Sequence, residues 1–202
     1  FEIPSGLLDG AYEEGGELNL YAEFPAEYIV RRDPQGNWCK WNGSAYVNPL
    51  AGVVGGAIND IKEAPNGDIY ICGAFMGVKN GENYVPSTYG IARWSKTNQM
   101  WEAVGNPVTG ATITYIADMA FDANGDLYVG GNFTNLAGIA NADYFAKYTV
   151  SNNTWSAIGT AITRSTVPEV SKIAISPNGT IYIGGSFDSA GGDTNCNNIA
   201  YF

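Results

Sequence analysis

Short apolar segments alternate with polar turns along most of the chain, and three of these turns carry Asn-Gly. The turns follow the apolar runs 58–61, 116–121 and 170–175, and each precedes a second apolar run. Asn-Gly between two such runs is the strongest short-range signal for a β-hairpin, because a type I′ turn needs positive φ at both central residues. The pattern therefore predicts three hairpins, each made of a strand a and a strand b.

The three hairpins have similar sequences in their turn and strand b. The copies span residues 66–75, 124–133 and 178–187, where Asn-Gly, a polar residue and an apolar-Tyr-apolar run recur, ending in Phe75, Phe133 and Phe187. Their starting positions lie 58 and 54 residues apart. Similarity at a fixed period is typical of repeat proteins.

Each repeat continues with a second pair of strands, c and d. The segment 91–94 matches 145–148, and the segment 101–105 matches 155–159. Four short strands in one repeat form an antiparallel sheet of the size of a propeller blade. The sequence thus predicts an all-β fold, a β-propeller with four-stranded antiparallel blades and a repeat of 54–58 residues.

The repeats divide the chain into a series of predicted segments. A half blade is expected at 38–52, full blades at 57–105 and 113–159, and a partial blade at 169–202. Residues 1–37 hold 8 of the 20 acidic residues and two arginines, for a net charge of −6, and predict an acidic adaptor or irregular strands. Closed propellers typically have about four to eight blades. We therefore expect further chain or other subunits to complete the propeller.

The composition of the chain argues against several classes of function. The chain has a net charge of −10, which argues against phosphate binding, so nucleic acid is not an expected partner. It has no histidine, so histidine-based catalysis is excluded. No apolar run approaches the roughly 20 residues of a membrane helix, so no membrane insertion is expected. Cys39, Cys72 and Cys196 form no metal-type pair, and free thiols or a single disulfide both fit an odd count.

Several residues have a structural and a functional interpretation. The pairs Gly130-Gly131 and Gly184-Gly185 lack side chains where neighbouring backbones approach closely. Asp60 and Asp118 share a position in strand a, where a hydrogen bond to a turn and exposure to water are both open. The acids at 122–126 resemble a calcium loop only superficially, since the terminal glutamate is missing. We expect no metal, no cofactor and no catalytic residue.

The long connections between strands b and c are the expected binding regions, because loops on a rigid scaffold concentrate function. They run from 76 to 87, from 134 to 143 and from 188 to 198, and are rich in Gly, Asn and Asp. Such side chains suit hydroxyl-rich ligands, although solvated connectors are an equal alternative. The candidate binding residues are Asn83, Tyr84, Asp143, Tyr144, Asp193 and Asn195.

The repeat resembles a family of kelch-like β-propeller repeats. The resemblance lies in Asn124 to Phe133, the segment 145–148 and the segment 154–159, and it covers roughly residues 38–202. Departures are Cys72 in place of glycine, the long connection 76–87, and Tyr46 in place of tryptophan. Such repeats occur in large bacterial surface and secreted proteins and in structural or tail proteins of phages and large DNA viruses.

The resemblance implies binding or scaffolding rather than catalysis. The first hypothesis is a non-enzymatic structural or attachment module on a virion, such as a phage tail, that binds other virion or surface-assembly proteins. A secreted bacterial adhesin or lectin-like surface protein that binds a cell-surface glycan is the alternative, and a propeller-type hydrolase or lyase using Asp118 or Asp143 is the third. The expected location is the virion surface or the cell exterior, and a homo-oligomer is left open.

Overall fold

The computed structural model describes residues 52–159, 162–164 and 166–202, together with the backbone of strands 30–32, 38–41 and 46–47. The chain divides into two compact units, Phe1–Leu50 and Ala51–Phe202. Both contain antiparallel β-sheets, and the described residues contain no α-helix. The predicted all-β class is confirmed. The described residues do not show a closed ring of blades, so the propeller architecture stays a prediction.

The N-terminal unit contains one three-stranded sheet. Its strands are β1 (Val30–Arg32), β2 (Trp38–Trp41) and β3 (Tyr46–Val47), and they pair in that order. The predicted pair of strands c and d in the half blade corresponds to β2 and β3, with β1 as a third strand. The rest of the predicted adaptor at 1–37 lies outside the described residues.

The second unit contains three sheets that correspond to the three repeats. Repeat sheet 1 consists of β5 (Ile58–Glu63), β6 (Ile69–Gly73), β9 (Ile91–Ser95) and β10 (Met100–Glu102). Repeat sheet 2 consists of β11 (Thr112–Phe121), β12 (Leu127–Thr134), β13 (Phe145–Thr149) and β14 (Thr154–Ala157). Repeat sheet 3 consists of β15 (Glu169–Ile175), β16 (Ile181–Ser186) and β17 (Ile199–Tyr201). Repeat sheets 1 and 2 pair antiparallel in the order a, b, c, d, and repeat sheet 3 in the order a, b, c, as predicted.

The hydrophobic core lies between the sheets. One cluster joins Tyr70 and Ile91 of repeat sheet 1 to Met119 and Trp155 of repeat sheet 2. A second cluster joins Tyr128 and Phe145 of repeat sheet 2 to residues of repeat sheet 3, among them Val170, Ile183 and Phe187. Each sheet therefore buries its apolar face against the next sheet in the chain, and this burial is the main stabilising contribution.

The glycine pairs lie where strands a and b of one sheet approach each other. A Cβ on Gly131 would lie 2.4 Å from the backbone oxygen of Tyr115, and one on Gly185 would lie 2.1 Å from that of Glu169. Opposite each pair, strand a has a bulge that shifts its register by one residue. The short Cβ distances confirm the close backbone approach expected from the sequence. The bulge changes the direction in which the neighbouring side chains of strand a point.

The bulges direct two carboxylates toward the following sheet. Asp60 accepts a hydrogen bond from the Met119 N–H at 3.3 Å. Asp118, which is buried, accepts one from the Ile173 N–H at 2.8 Å. Lys172 occupies the same position in β15, opposite Gly184, and its Nζ lies 3.5 Å from Asp118. The first strands of successive repeat sheets are thus joined by carboxylate-to-backbone bonds.

Replacing Asp118 with alanine is expected to lower the free energy of unfolding by about 1–2 kcal/mol, because the Ile173 N–H loses its acceptor. Lys172→Ala removes the ionic partner of the same carboxylate from a side chain that is 76% exposed, so its cost is expected to stay below about 0.5 kcal/mol. Urea unfolding of both variants and of Asp118→Asn, which keeps an acceptor, separates the two contributions. Equal losses for Asp118→Ala and Lys172→Ala would contradict this assignment.

Candidate functional site

A small additional sheet accompanies the first repeat, with one strand before strand a and two strands in the connection between strands b and c. It contains β4 (Val53–Val54), β7 (Gly77–Asn80) and β8 (Asn83–Val85), with β7 in the centre. Residues 76–87, predicted as a long connecting loop, instead contain β7 and β8, which form a hairpin with Asn80 opposite Asn83. The sequence signal for this hairpin is the dipeptide Asn80-Gly81, because Gly81 provides the positive φ of the turn. We call these three strands the insert sheet.

Two polar side chains fix the insert sheet in place. Asn80 donates to the Trp101 carbonyl at 2.9 Å and accepts from the Trp101 N–H at 2.8 Å, so its amide pairs with edge strand β10 as a backbone would. The buried Thr88 hydroxyl accepts from the Val78 N–H at 3.0 Å and donates to the Val85 carbonyl at 2.8 Å. These bonds preorganise the hairpin, which lowers the entropic cost of binding at its surface.

A cleft of about 430 Å³ lies between the insert sheet and the segment that leads into β11. The insert side provides Tyr84 and Val85, and the following turn provides Ser87, Thr88 and Tyr89. The opposite wall is formed by Val108, Ala111 and Ile113, with Met76 and Gly77 completing the lining. A hydrogen bond of 2.7 Å from Ser87 to Asn106 joins the two walls. Clefts of this size bind small molecules.

Tyr84 is the predicted site residue that lines the cleft. Its side chain is 60% exposed, and Lys79 Nζ lies 4.6 Å from the centre of its ring. This cation–π contact holds the phenol in an exposed position at modest cost. Asn83, the neighbouring predicted residue, is exposed at the hairpin turn and does not line the cleft.

Asp143 and Tyr144 lie together in the connection between β12 and β13. Asp143 accepts a hydrogen bond from the Asn135 N–H at 2.6 Å, which closes the connection across its base. Tyr144 has positive φ and donates its N–H to the Phe133 carbonyl. Burial and the neighbouring Asp143 carboxylate raise the pKa of the Tyr144 phenol. Both residues therefore have local structural roles, and neither lines the cleft.

Asp193 and Asn195 lie together in the exposed connection between β16 and β17. The Asp193 carboxylate accepts from the backbone N–H of Asn195 at 2.8 Å and from its side-chain amide at 2.9 Å. This is a local Asx turn, of the kind that stabilises loops. The structure thus places the six predicted residues in three separate connections.

Two basic side chains of the first two repeats, Lys147 and Arg93, form ion pairs with acidic residues of their own sheets. Lys147 contacts Asp126 at 2.8 Å and Asp122 at 3.7 Å, and its hydrogen bond to Asp126 raises the pKa of the lysine. Arg93 contacts Glu102 at 2.5 Å. A hydrogen bond from Asn98, followed by the contact with Arg93, lowers the pKa of Glu102. Asp122 and Asp126, the acids that resembled a calcium loop, are therefore paired with Lys147.

The described residues contain no cluster of three or more side chains that could hold a metal ion. No helix in the described part of the chain is long and apolar enough to cross a membrane. Among known proteins, neither a family model nor a curated sequence matches this chain.

Proposed function

We propose that this chain is a non-enzymatic structural or attachment module of β-propeller architecture, exposed on a virion such as a phage tail. The module binds other proteins of the particle or of its target surface. This proposal combines the kelch-like repeat with the stacked sheets of the second unit. Recognition takes place at the connections between strands b and c, where the cleft lies.

The observation that carries the proposal is the face-to-face stacking of the three repeat sheets. The two hydrophobic clusters lie between successive sheets, and β11 contacts both β5 and β15. This arrangement supports blades that surround a common axis with strand a innermost, as in propellers. A rigid stack of this kind presents loops at fixed positions, which suits attachment.

The positions of the acidic residues favour binding over catalysis. Asp118 and Asp143, the acids that a hydrolase or lyase would use, both accept backbone N–H bonds. A catalytic carboxylate needs a partner group or substrate within reach, with a pKa tuned for proton transfer. In the described part of the chain both acids make structural hydrogen bonds, which supports binding over catalysis.

Mass spectrometry of particles purified from the virus that encodes the chain tests this proposal. Its peptides are expected to remain with the particles through a density gradient and a high-salt wash. A capsid protein from the same particles provides the positive control, and a non-structural protein of the same virus provides the negative one. Absence of the chain from washed particles would overturn the virion assignment.

A secreted adhesin or lectin-like protein is the second candidate. The exposed Asp193–Asn195 turn and the exposed Asn83 favour it, because amide and carboxylate groups on loops recognise sugar hydroxyls. A glycan array distinguishes the candidates. Binding that is lost on Asn195→Ala and kept on Asn178→Ala, an exposed asparagine of a hairpin turn, would support the adhesin.

A further inference from the structure

The cleft beside the insert sheet has a composition that restricts its ligand. None of the ten residues that line it carries a charged side chain, although the chain as a whole has a net charge of −10. Five are aliphatic or thioether residues, namely Met76, Val85, Val108, Ala111 and Ile113. The ammonium group of Lys79, which contacts the Tyr84 ring, is not part of the lining. A charged group that enters the cleft would therefore lose hydration without a charged lining side chain to replace it.

The polar groups of the lining are largely occupied. The Thr88 hydroxyl binds the Val78 N–H and the Val85 carbonyl, and the Ser87 hydroxyl binds Asn106. The lining also contains Tyr84 and Tyr89, whose phenol groups can bond to one or two polar groups of a ligand. A sugar that fills the cleft would bury several hydroxyls, and each unpaired one costs about 1–3 kcal/mol. The cleft therefore disfavours a polyol.

Hydrogen bonds within the protein fix the walls of the cleft in the absence of a ligand. Asn80 ties the hairpin to Trp101, and Ser87 ties the insert side to the opposite wall. Met76 is 66% exposed at the mouth, with its sulfur packed near Gly55. A flexible thioether beside two phenol rings adapts to the flat faces of a ring compound. Preformed, mainly apolar clefts with a few polar groups are typical of small-molecule sites.

From these contacts we propose that the cleft binds an uncharged aromatic or alicyclic small molecule, with one or two polar groups hydrogen-bonded to Tyr84 and Tyr89. The ring packs against Met76, Val108 and Ile113. This site goes beyond the proposed function, because its occupant is a small molecule rather than another protein of a particle or target surface. A chain missing from purified particles would overturn the virion assignment and leave this site unaffected.

The test uses the full chain and the neutral naphthalene dye 6-propionyl-2-(dimethylamino)naphthalene. The dye is expected to bind saturably with a blue-shifted emission. Met76→Glu, which places a charge at the mouth on an exposed side chain, is expected to weaken binding at least tenfold. Met100→Glu is the matched control, because Met100 is 44% exposed and lies outside the cleft, and its affinity is expected to stay within twofold.

Competition identifies the chemistry of the ligand. Indole and cyclohexanol are expected to displace the dye, whereas methyl α-glucoside at the same concentration is not. More effective displacement by the glucoside, or equal loss of affinity in Met76→Glu and Met100→Glu, would overturn the proposal. Binding lost on Tyr201→Ser but kept on Met76→Glu would place the dye on repeat sheet 3 and would also overturn it.

Discussion

Trp155→Ala is expected to lower the free energy of unfolding by about 3–5 kcal/mol, the range for removing a large aromatic ring from a core. Trp155 is 7% exposed and belongs to the cluster between repeat sheets 1 and 2. Its indole N–H donates to the Val104 carbonyl at 2.8 Å, across the junction between the two sheets. Its ring packs against Tyr148 with centroids 5.1 Å apart. Truncation would remove both the packing and the hydrogen bond.

Two further variants separate these contributions in chemical denaturation. Trp155→Phe keeps an aromatic ring and loses the N–H, so we expect a smaller loss of about 1–2 kcal/mol. Tyr201→Ala removes a ring that is 74% exposed and is expected to change stability by no more than about 0.5 kcal/mol. If Trp155→Ala were no more costly than Tyr201→Ala, the junction would not contribute to stability in the way described.

Gly131→Ala is expected to cost about 2–3 kcal/mol, because the added methyl group meets backbone atoms that cannot rotate away. The new Cβ would lie 2.4 Å from the Tyr115 oxygen and 2.8 Å from the Ile116 Cα. Relief would require β11 to move away from β12, which would disturb the bulge that aims Asp118 at repeat sheet 3.

The control is Gly184→Ala, in the matching strand of repeat sheet 3. Its Cβ would meet nothing closer than the Asn198 oxygen at 3.8 Å. Alanine there is expected to be neutral or slightly stabilising, because glycine loses more backbone freedom on folding. Thermal unfolding of the two variants provides the comparison. A loss in Gly184→Ala as large as that in Gly131→Ala would show that the cost is not steric.

Local patterns predict the strands well and the contacts between sheets poorly. The Asn-Gly turns at 66, 124 and 178 and the apolar runs around them predict the hairpins that the structure contains. The pattern does not reveal the role of Asp118, because its acceptor function depends on an N–H that lies 55 residues further along the chain. Stacking of the sheets decides that pairing, and strand periodicity carries no information about it.

The cleft likewise combines a residue that the sequence identifies with residues that only the fold brings together. Tyr84 is recognisable from the sequence, since it lies on a long connection of a repeat scaffold. Met76 and Ile113 lie in separate segments, and only the folded insert sheet brings them to one cavity. The hairpin signal at Asn80-Gly81 would have predicted β7 and β8, but it does not predict the Trp101 contact that orients them.

Lys172 occupies the position in strand a that Asp60 and Asp118 occupy in the first two repeats, so the third repeat offers a different group to a following sheet. Asp60 and Asp118 each offer a carboxylate to the next sheet, whereas an ammonium group can only donate. Tyr182 on repeat sheet 3 is 43% exposed, while its counterparts Tyr70 and Tyr128 are 1% and 7% exposed. A fourth layer of the same design would find no acceptor there. Because Lys172 is paired with Asp118 of the preceding sheet, any layer that covers the surface of repeat sheet 3 must attach through other groups.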